Sequence, residues 1–534
     1  MPGQVPSFSG PLQPFFKRMN RPVTHSRGTT PPDMLFIYPP AAKISEPPAG
    51  IARLAGALKH HGVAVKSVDM SLEGSMYLFD SASEAHDKWS TRALNRKDRN
   101  LGLLTSGQGY ENIDRYRNAV LDTNRVLKVA SDGTGALASL ANYKSDTLSP
   151  VKSEDLLKAA QAPEENAYFP YFKARFKELE EECGGLTTVG ISMNYLNQAL
   201  TTFAIIGHLK AAYPHVRIVL GGGLVTSWMR MPSWENPFKH LVDEMIAGEG
   251  EHPLLRLFGK EPDQKHYLPD YGDFKDLPYL APGFVLPFCA AGGCWWRKCT
   301  FCPERAEQNP YTPVETSTAV AHLNTLVETL KPALVHIVDN SVGPAFLKKL
   351  FASGFNTPWY AFARVTPHLT DEAFCRDLKA SGCRMLKLGI ESGDPAVLSD
   401  MNKGVPPEMV SRALATLRKV GINTYVYLLF GTPTETEAAA RKTLDFVAHH
   451  HDAIGFLNLS VFNLPYFAPE AKTLNTSTFY DGDLSLYSEF NHPLGWNRSL
   501  IRHFLEKEFK KHPRIAPIVH RDPPVFNSNH AAFF

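Results

Sequence analysis

The stretch Gly292-Gly293-Cys294-Trp295-Trp296-Arg297-Lys298-Cys299-Thr300-Phe301-Cys302-Pro303 constrains this chain more than any other. It sets Cys294, Cys299 and Cys302 within nine residues, at C-x4-C-x2-C spacing. Thiolates this close along the chain can converge on one metal centre without ligands from distant segments. Two kinds of centre compete for them. A structural zinc needs four ligands to close its tetrahedron, and Cys289 is a candidate fourth. An iron–sulfur cubane held by three thiolates keeps one iron open to a substrate atom. Spacing alone leaves both readings standing.

Composition narrows the setting. At 534 residues the chain is long enough for more than one domain and for large cores. Hydrophobic residues make up 43% and charged residues 21%, the balance of a soluble globular protein. A net charge of +2 calls for no nucleic-acid partner, and Lys510, Lys511 and Arg514 read as a solvated face. Seven cysteines, three of them clustered, do not make a disulfide framework and point to a reducing, cytoplasmic setting. No apolar run is long enough to span a membrane, and no signal-peptide core is expected.

Residues 1–32 lack apolar periodicity and read as an irregular leader. From 33 to 260 the pattern is that of a Rossmann-like domain. Met34–Tyr38 is a buried strand, Ile51, Leu54, Ala55 and Leu58 share one helical face, and Val63–Asp69 is a second strand. Strand, helix, strand implies a right-handed parallel crossover. A polar, mostly helical insertion is expected over about 72–182, as a cap, a packing surface or a recognition element. The parallel pattern resumes at Thr187–Asn194, and Val216–Leu220 runs into Gly221-Gly222-Gly223. A strand feeding a glycine turn lets the backbone approach a ligand, although a tight structural turn reads the same way.

After a linker over 261–282, residues 283–465 repeat strand–helix units, six in all, as in an incomplete (β/α) barrel. Barrel logic places chemistry at the carboxyl ends of the strands. Asp339, Arg364, Leu388-Gly389-Ile390-Glu391-Ser392-Gly393 and Leu429-Phe430-Gly431-Thr432-Pro433-Thr434-Glu435 fall there. Each has the alternative reading of an ordinary rim residue. An aromatic-rich cap with helical character over 466–534 is expected either to shape the mouth or to bury apolar rim.

The cysteine loop with its lead-in Tyr279–Pro287, together with "GIESG" and "FGTPTE", resembles radical SAM enzymes, and more specifically those that carry a cobalamin (B12)-binding domain. The first cysteine gap is one residue longer than the family's commonest spacing. The resemblance implies an α/β protein with an N-terminal Rossmann-like B12-binding domain, a partial (β/α)6 radical SAM barrel and an α-rich C-terminal tail. It implies a [4Fe-4S] cluster on Cys294, Cys299 and Cys302. It assigns S-adenosylmethionine to Phe301, Asp339, Arg364, Glu391, Ser392 and Gly431. It assigns cobalamin to Ser192, Asn194, Gly221 and Gly222, through the family's pattern of a serine loop followed by Gly-Gly after 26 intervening residues, and to Pro48, Gly50 and Glu249, through the "PP-x-G" helix entry and the "GEGE" close. Methionine-synthase-like B12 proteins supply a cobalt-binding histidine from a D-x-H-x-x-G loop. The corresponding stretch here, Lys43 to Gly50, has none, so the resemblance implies a base-off form without a histidine lower ligand. No cysteine follows Cys383, which excludes chemistry through a late methyl-cysteine.

The expected activity is methylation of an unactivated carbon or phosphorus centre of a small molecule or peptide, through a 5′-deoxyadenosyl radical and methylcobalamin, with flavodoxin or ferredoxin as reductant. A cyclase or rearrangement enzyme with the same cofactors is the alternative within the family. A non-catalytic zinc- or cobalamin-binding regulator is the alternative outside it.

Overall fold

Short apolar runs bounded by turn residues become the strands of two parallel sheets. The computed structural model describes residues 31–85, 87–232, 234–523 and 530–534, so residues 1–30 of the expected leader lie outside the described residues. The first sheet comprises β1 (Met34–Ile37), β2 (Val65–Val68), β3 (Thr188–Ser192), β4 (Arg217–Gly221) and β5 (Glu244–Ile246). Its order is β2-β1-β3-β4-β5, parallel throughout. All four residues of β1 are buried, as a strand covered on both faces requires. Helices α1 (Ala49–His60), α2 (Leu196–Ala212), α3 (Gly223–Met229) and α4 (Glu251–Leu257) follow β1, β3, β4 and β5 in turn. The order reverses between β1 and β3, and a ligand crevice belongs at the carboxyl ends of those two strands.

Between β2 and β3 lie seven helices from Met70 to Cys183, together with a β-hairpin of Ala136–Ser139 and Asn142–Ser145 that the helical expectation did not contain. Gly133 and Gly135, both at positive φ, turn the chain into it. The insertion packs against the linker and the C-terminus: Tyr110 donates to the Leu280 carbonyl at 3.3 Å, and Tyr116 meets Phe533 at 5.0 Å between ring centroids.

The second sheet is β6 (Val285–Phe288), β7 (Leu334–Ile337), β8 (Trp359–Ala363), β9 (Cys383–Glu391), β10 (Asn423–Phe430) and β11 (Phe456–Val461), parallel and in sequence order. Helices α5 (Thr316–Leu330), α6 (Pro344–Ala352), α7 (Glu372–Ala380), α8 (Pro407–Val420) and α9 (Glu437–His449) alternate with these strands. Alternation along each strand divides the residues between two faces. Leu286, Val335, Ala361, Leu386 and Val426 join the main core, which also takes residues of the surrounding helices. Val285, Leu334, Tyr360, Met385, Tyr425 and Phe456 form a separate cluster inside the curved sheet. This is a partial (β/α)6 barrel.

The C-terminal region serves both ends of that barrel. A three-stranded antiparallel sheet, which the sequence does not announce, pairs Leu464–Pro465 and Thr476–Thr478 with Tyr487–Phe490, and helix Arg498–Phe504 follows. Trp496 reaches the turn after β10, donating to Glu435 at 3.1 Å. The last residues instead close the amino end, where His530 packs on Tyr425 at 4.5 Å and on Phe456 at 5.0 Å. Among the described residues, no helix is long and apolar enough to cross a membrane.

Candidate cofactor site between the two sheets

Strand β6 delivers the chain into the cysteine loop. Ala291–Gly292 pairs antiparallel with Thr312–Pro313, which closes the loop at its base. Gly293 has φ +70 and a Cβ there would stand 2.2 Å from the Pro310 carbonyl oxygen, so only glycine fits. The loop is then tied to the segment that follows helix Pro395–Asp400. Thr300 N–H donates to the Met401 carbonyl at 3.0 Å and Trp296 Nε1 to the Asn402 carbonyl at 3.1 Å. The Arg364 guanidinium lies 3.8 Å over the Trp296 ring and donates to the Lys403 carbonyl.

Cys294, Cys299 and Cys302 are all free and half-buried. Burial pushes the Cys299 thiol up, while Lys403 and Arg364 pull it down. Burial lifts Cys302 to about 11, against amide hydrogens of Glu304 and Arg305 in the short helix that starts after it. Neighbouring cations and helix-end amides are the surroundings that favour the thiolate a metal requires. Cys289, the candidate fourth zinc ligand, is turned away: its Sγ meets the Ala291 carbonyl at 3.2 Å and Arg53 at 3.9 Å, and burial pushes it up to about 12.

The residues expected near S-adenosylmethionine gather at the carboxyl ends of β6 to β10, in different states. Glu391, at φ +69 where β9 shifts register against β10, pairs with Lys403 at 2.8 Å, and Lys403 stands 5.5 Å over the Phe301 ring. Phe301, Glu391 and Arg364 therefore face one small region beside the cysteines. Asp339 is buried, accepts the Ala290 amide at 2.7 Å and is raised to about 7 by that burial. Ser392 is buried too, bonding the Thr443 hydroxyl and the Asp394 amide, each at 3.1 Å. Gly431, at φ +82, donates its amide to Glu435 and faces Ile501 of the C-terminal helix. Nothing in the sequence singles out Lys403, one lysine in an unpatterned loop.

The first sheet opens a cleft at its switch point, enclosing about 230 Å³. Gly50, Ser192, Asn194, Gly221, Gly222 and Glu249 line it; Pro48 does not, but caps the amino end of α1 from a buried position. Asn194 Oδ1 accepts the Gly223 amide at 2.9 Å, and its Nδ2 donates to Ser192 Oγ at 3.1 Å, so the serine loop and the glycine turn are one unit. At Gly222, φ is +111 and a Cβ would lie 2.4 Å from the Met193 carbonyl oxygen. Arg53 also lines the cleft, bound to Glu251 at 2.6 Å and lying 3.5 Å from Glu249. Glu249 in turn accepts the Thr312 hydroxyl at 2.8 Å. Thr312 is the residue paired with Gly292. The cleft and the cysteine loop thus share a wall.

Residues 290–447 match the model of the Radical SAM superfamily. These residues are a radical SAM domain. The domain marks the chain as an enzyme and implies a [4Fe-4S] cluster and S-adenosylmethionine. The whole fold is similar to that of the radical S-adenosylmethionine methyltransferase TsrM from Kitasatospora setae, solved with cobalamin and a [4Fe-4S] cluster, at TM-score 0.50 and 15% identity, covering 84% of this chain and 81% of that one. TsrM with tryptophan and a S-adenosylmethionine analogue matches at TM-score 0.50 and 14% identity, over 84% and 79% of the two chains. In sequence, an uncharacterised methyltransferase of Pyrococcus horikoshii is 30% identical over 93 residues, 17% of this chain. That match spans 20% of the length of the curated relative.

Proposed function

We propose that the chain is a cobalamin-dependent radical SAM methyltransferase acting on an unactivated carbon or phosphorus centre of a small molecule or peptide. In this reading residues 33–260 bind cobalamin, 283–465 form the radical barrel, and 466–534 cap it. The observation that carries the reading is the shared wall: one carboxylate, Glu249, lines the switch-point cleft and holds the base of the cysteine loop through Thr312. Two cofactors must face one substrate for methyl transfer to follow hydrogen abstraction, and this joint brings their two sites together.

Bound there, the cluster and S-adenosylmethionine would supply a 5′-deoxyadenosyl radical, and cobalamin a methyl group. The chain's part is to hold and orient. Cys294, Cys299 and Cys302 hold the cluster. Phe301, Arg364 and the Glu391–Lys403 pair orient the nucleotide, with Asp339, Ser392 and Gly431 shaping the strand ends behind them. A guanidinium and an ammonium beside three thiolates also offset negative charge that burial would otherwise disfavour. Gly50, Ser192, Asn194, Gly221, Gly222 and Glu249 take the corrinoid's side chain, and Pro48 positions α1. The Lys43–Gly50 loop, without a histidine, sends Lys43 and Glu46 toward β7, where Glu46 accepts from His336 at 2.9 Å. That stretch would offer a bound corrinoid no imidazole, as the resemblance implies. A flavodoxin or ferredoxin would deliver the electron.

The test is product analysis on anaerobically reconstituted enzyme with cobalamin, reductant and candidate substrates. Formation of S-adenosylhomocysteine together with 5′-deoxyadenosine, both dependent on substrate, is expected. Deoxyadenosine without the demethylated product would instead indicate cyclisation or rearrangement, and tightly bound zinc without iron would indicate a regulator.

A further inference from the structure

The inside of the barrel changes character along its axis. At the amino end, Tyr360, Met385, Tyr425 and Phe456 are fully packed against the closing C-terminal residues. Toward the carboxyl end the inward-facing residues Phe362, Gly389, Tyr427 and Asn458 are only half-buried, so the packing loosens there. Lys387 stands at the boundary. It is 0% exposed, and its Nζ has no hydrogen-bond partner. Two aromatic rings flank it, Tyr360 at 4.8 Å and Phe362 at 4.7 Å.

Around it, the other buried charges are matched. Glu46, from the loop after β1, pairs with Lys43 and accepts from His336 Nδ1 at 2.9 Å. His336 stacks on the same Tyr360 ring at 4.3 Å, and its Nε2 is also buried without a partner. One carboxylate therefore contacts a lysine and a histidine, and it acts on Lys387 only from beyond ion-pair distance. A buried ammonium with no counter-charge in contact is costly; burial, with Lys43 adding to it and Glu46 opposing, pushes Lys387 down to about 7. A chain has little reason to bear that cost in a packed core, where a methionine would fill the same space. The cost is recovered if an anion arrives from outside.

We infer that the barrel lumen is the substrate's chamber and that Lys387, at its floor, binds an anionic oxygen group of the substrate, a carboxylate or a phosphate. The inference rests on the proposed function in taking the lumen as the substrate's place. The aromatic walls Phe362 and Tyr427 suit an apolar or planar body above that group, and the reacting atom would then lie nearer the cysteine loop. Lys387 is four residues before Glu391 on β9, about 13 Å deeper at 3.3 Å per residue, and so lies below the rim that the nucleotide would occupy.

The test uses reconstituted full-length enzyme and two probes, inorganic phosphate and malonate, with thermal unfolding midpoints as the readout. Wild type is expected to gain on the order of 1–2 °C at tenfold excess over Kd with at least one probe. Lys387→Met is expected to be at least as stable as wild type without the probe, and to lose the gain. Lys387→Gln gives a second comparison of the same kind. No gain in wild type, an equal gain in the variants, or collapse of both variants without the probe would each overturn the assignment. Which probe acts distinguishes a phosphate from a carboxylate. Cleavage of S-adenosylmethionine by wild type, measured alongside, reports separately on the radical SAM reading.

Discussion

Trp296 is fixed from two sides, by the Arg364 guanidinium at 3.8 Å and by Gly404, where a Cβ would stand 2.5 Å from the indole. Gly404 also has φ +65, a conformation that costs a side chain roughly 1–3 kcal/mol when forced. Gly404→Ala should therefore displace the indole and loosen the cysteine loop while leaving both sheets intact. Iron bound after anaerobic reconstitution is expected to fall several-fold with an unchanged far-ultraviolet dichroism spectrum; full iron content in the variant would show that this clamp is dispensable. The same segment supplies Lys403 to Glu391. One stretch of four residues, Met401 to Gly404, thus holds the cluster loop by its backbone and the rim carboxylate by a side chain.

At the scale of elements, the turn after β10 illustrates how a motif works. Glu435 folds back to take the Gly431 amide and the Trp496 indole, and burial raises it to about 7 from 4.5. Its folded pKa lies above its unfolded one, so between those values the native state keeps a proton that the unfolded chain has released. Its contribution to stability is then full below about pH 4.5 and is lost as pH rises through 7. Glu435→Gln keeps an acceptor and removes the charge. It should flatten the decline of stability across that window and gain on the order of 2 kcal/mol at pH 8, measured by urea unfolding; identical pH profiles would contradict burial of this carboxyl as the cause. Much of this architecture was legible because it is local. The strands of both sheets are apolar runs between turn signals, and helices such as Thr316–Leu330 and Pro344–Ala352 begin and end where their periodicity and prolines do. Ser192, Asn194 and Gly221-Gly222 came from the resemblance, and they line one cleft. The strands Thr476–Thr478 and Ala136–Ser139 could not be read: both are short, the first is exposed throughout, and the second buries only Ala138. Nor could Arg53, Lys403, Glu46 and Lys387: the fold, not the spacing, sets what stands beside each.

For the whole molecule, the consequence is one working interface between two parallel sheets. The switch-point cleft, the cysteine loop and the barrel mouth meet where α1 and α4 approach β6 and Thr312, through Arg53, Glu249 and Glu251. The insertion and the last five residues meet at the amino end of the barrel, away from the cysteine loop. In the proposed reading, all of it depends on Cys294, Cys299 and Cys302 holding a [4Fe-4S] cluster. The most direct measurement is release of 5′-deoxyadenosine from S-adenosylmethionine by reduced, anaerobically reconstituted enzyme, comparing wild type with the chain in which Cys294, Cys299 and Cys302 are all alanine. Release by wild type and none above background by the variant is the predicted result. Equal release by both would contradict the account.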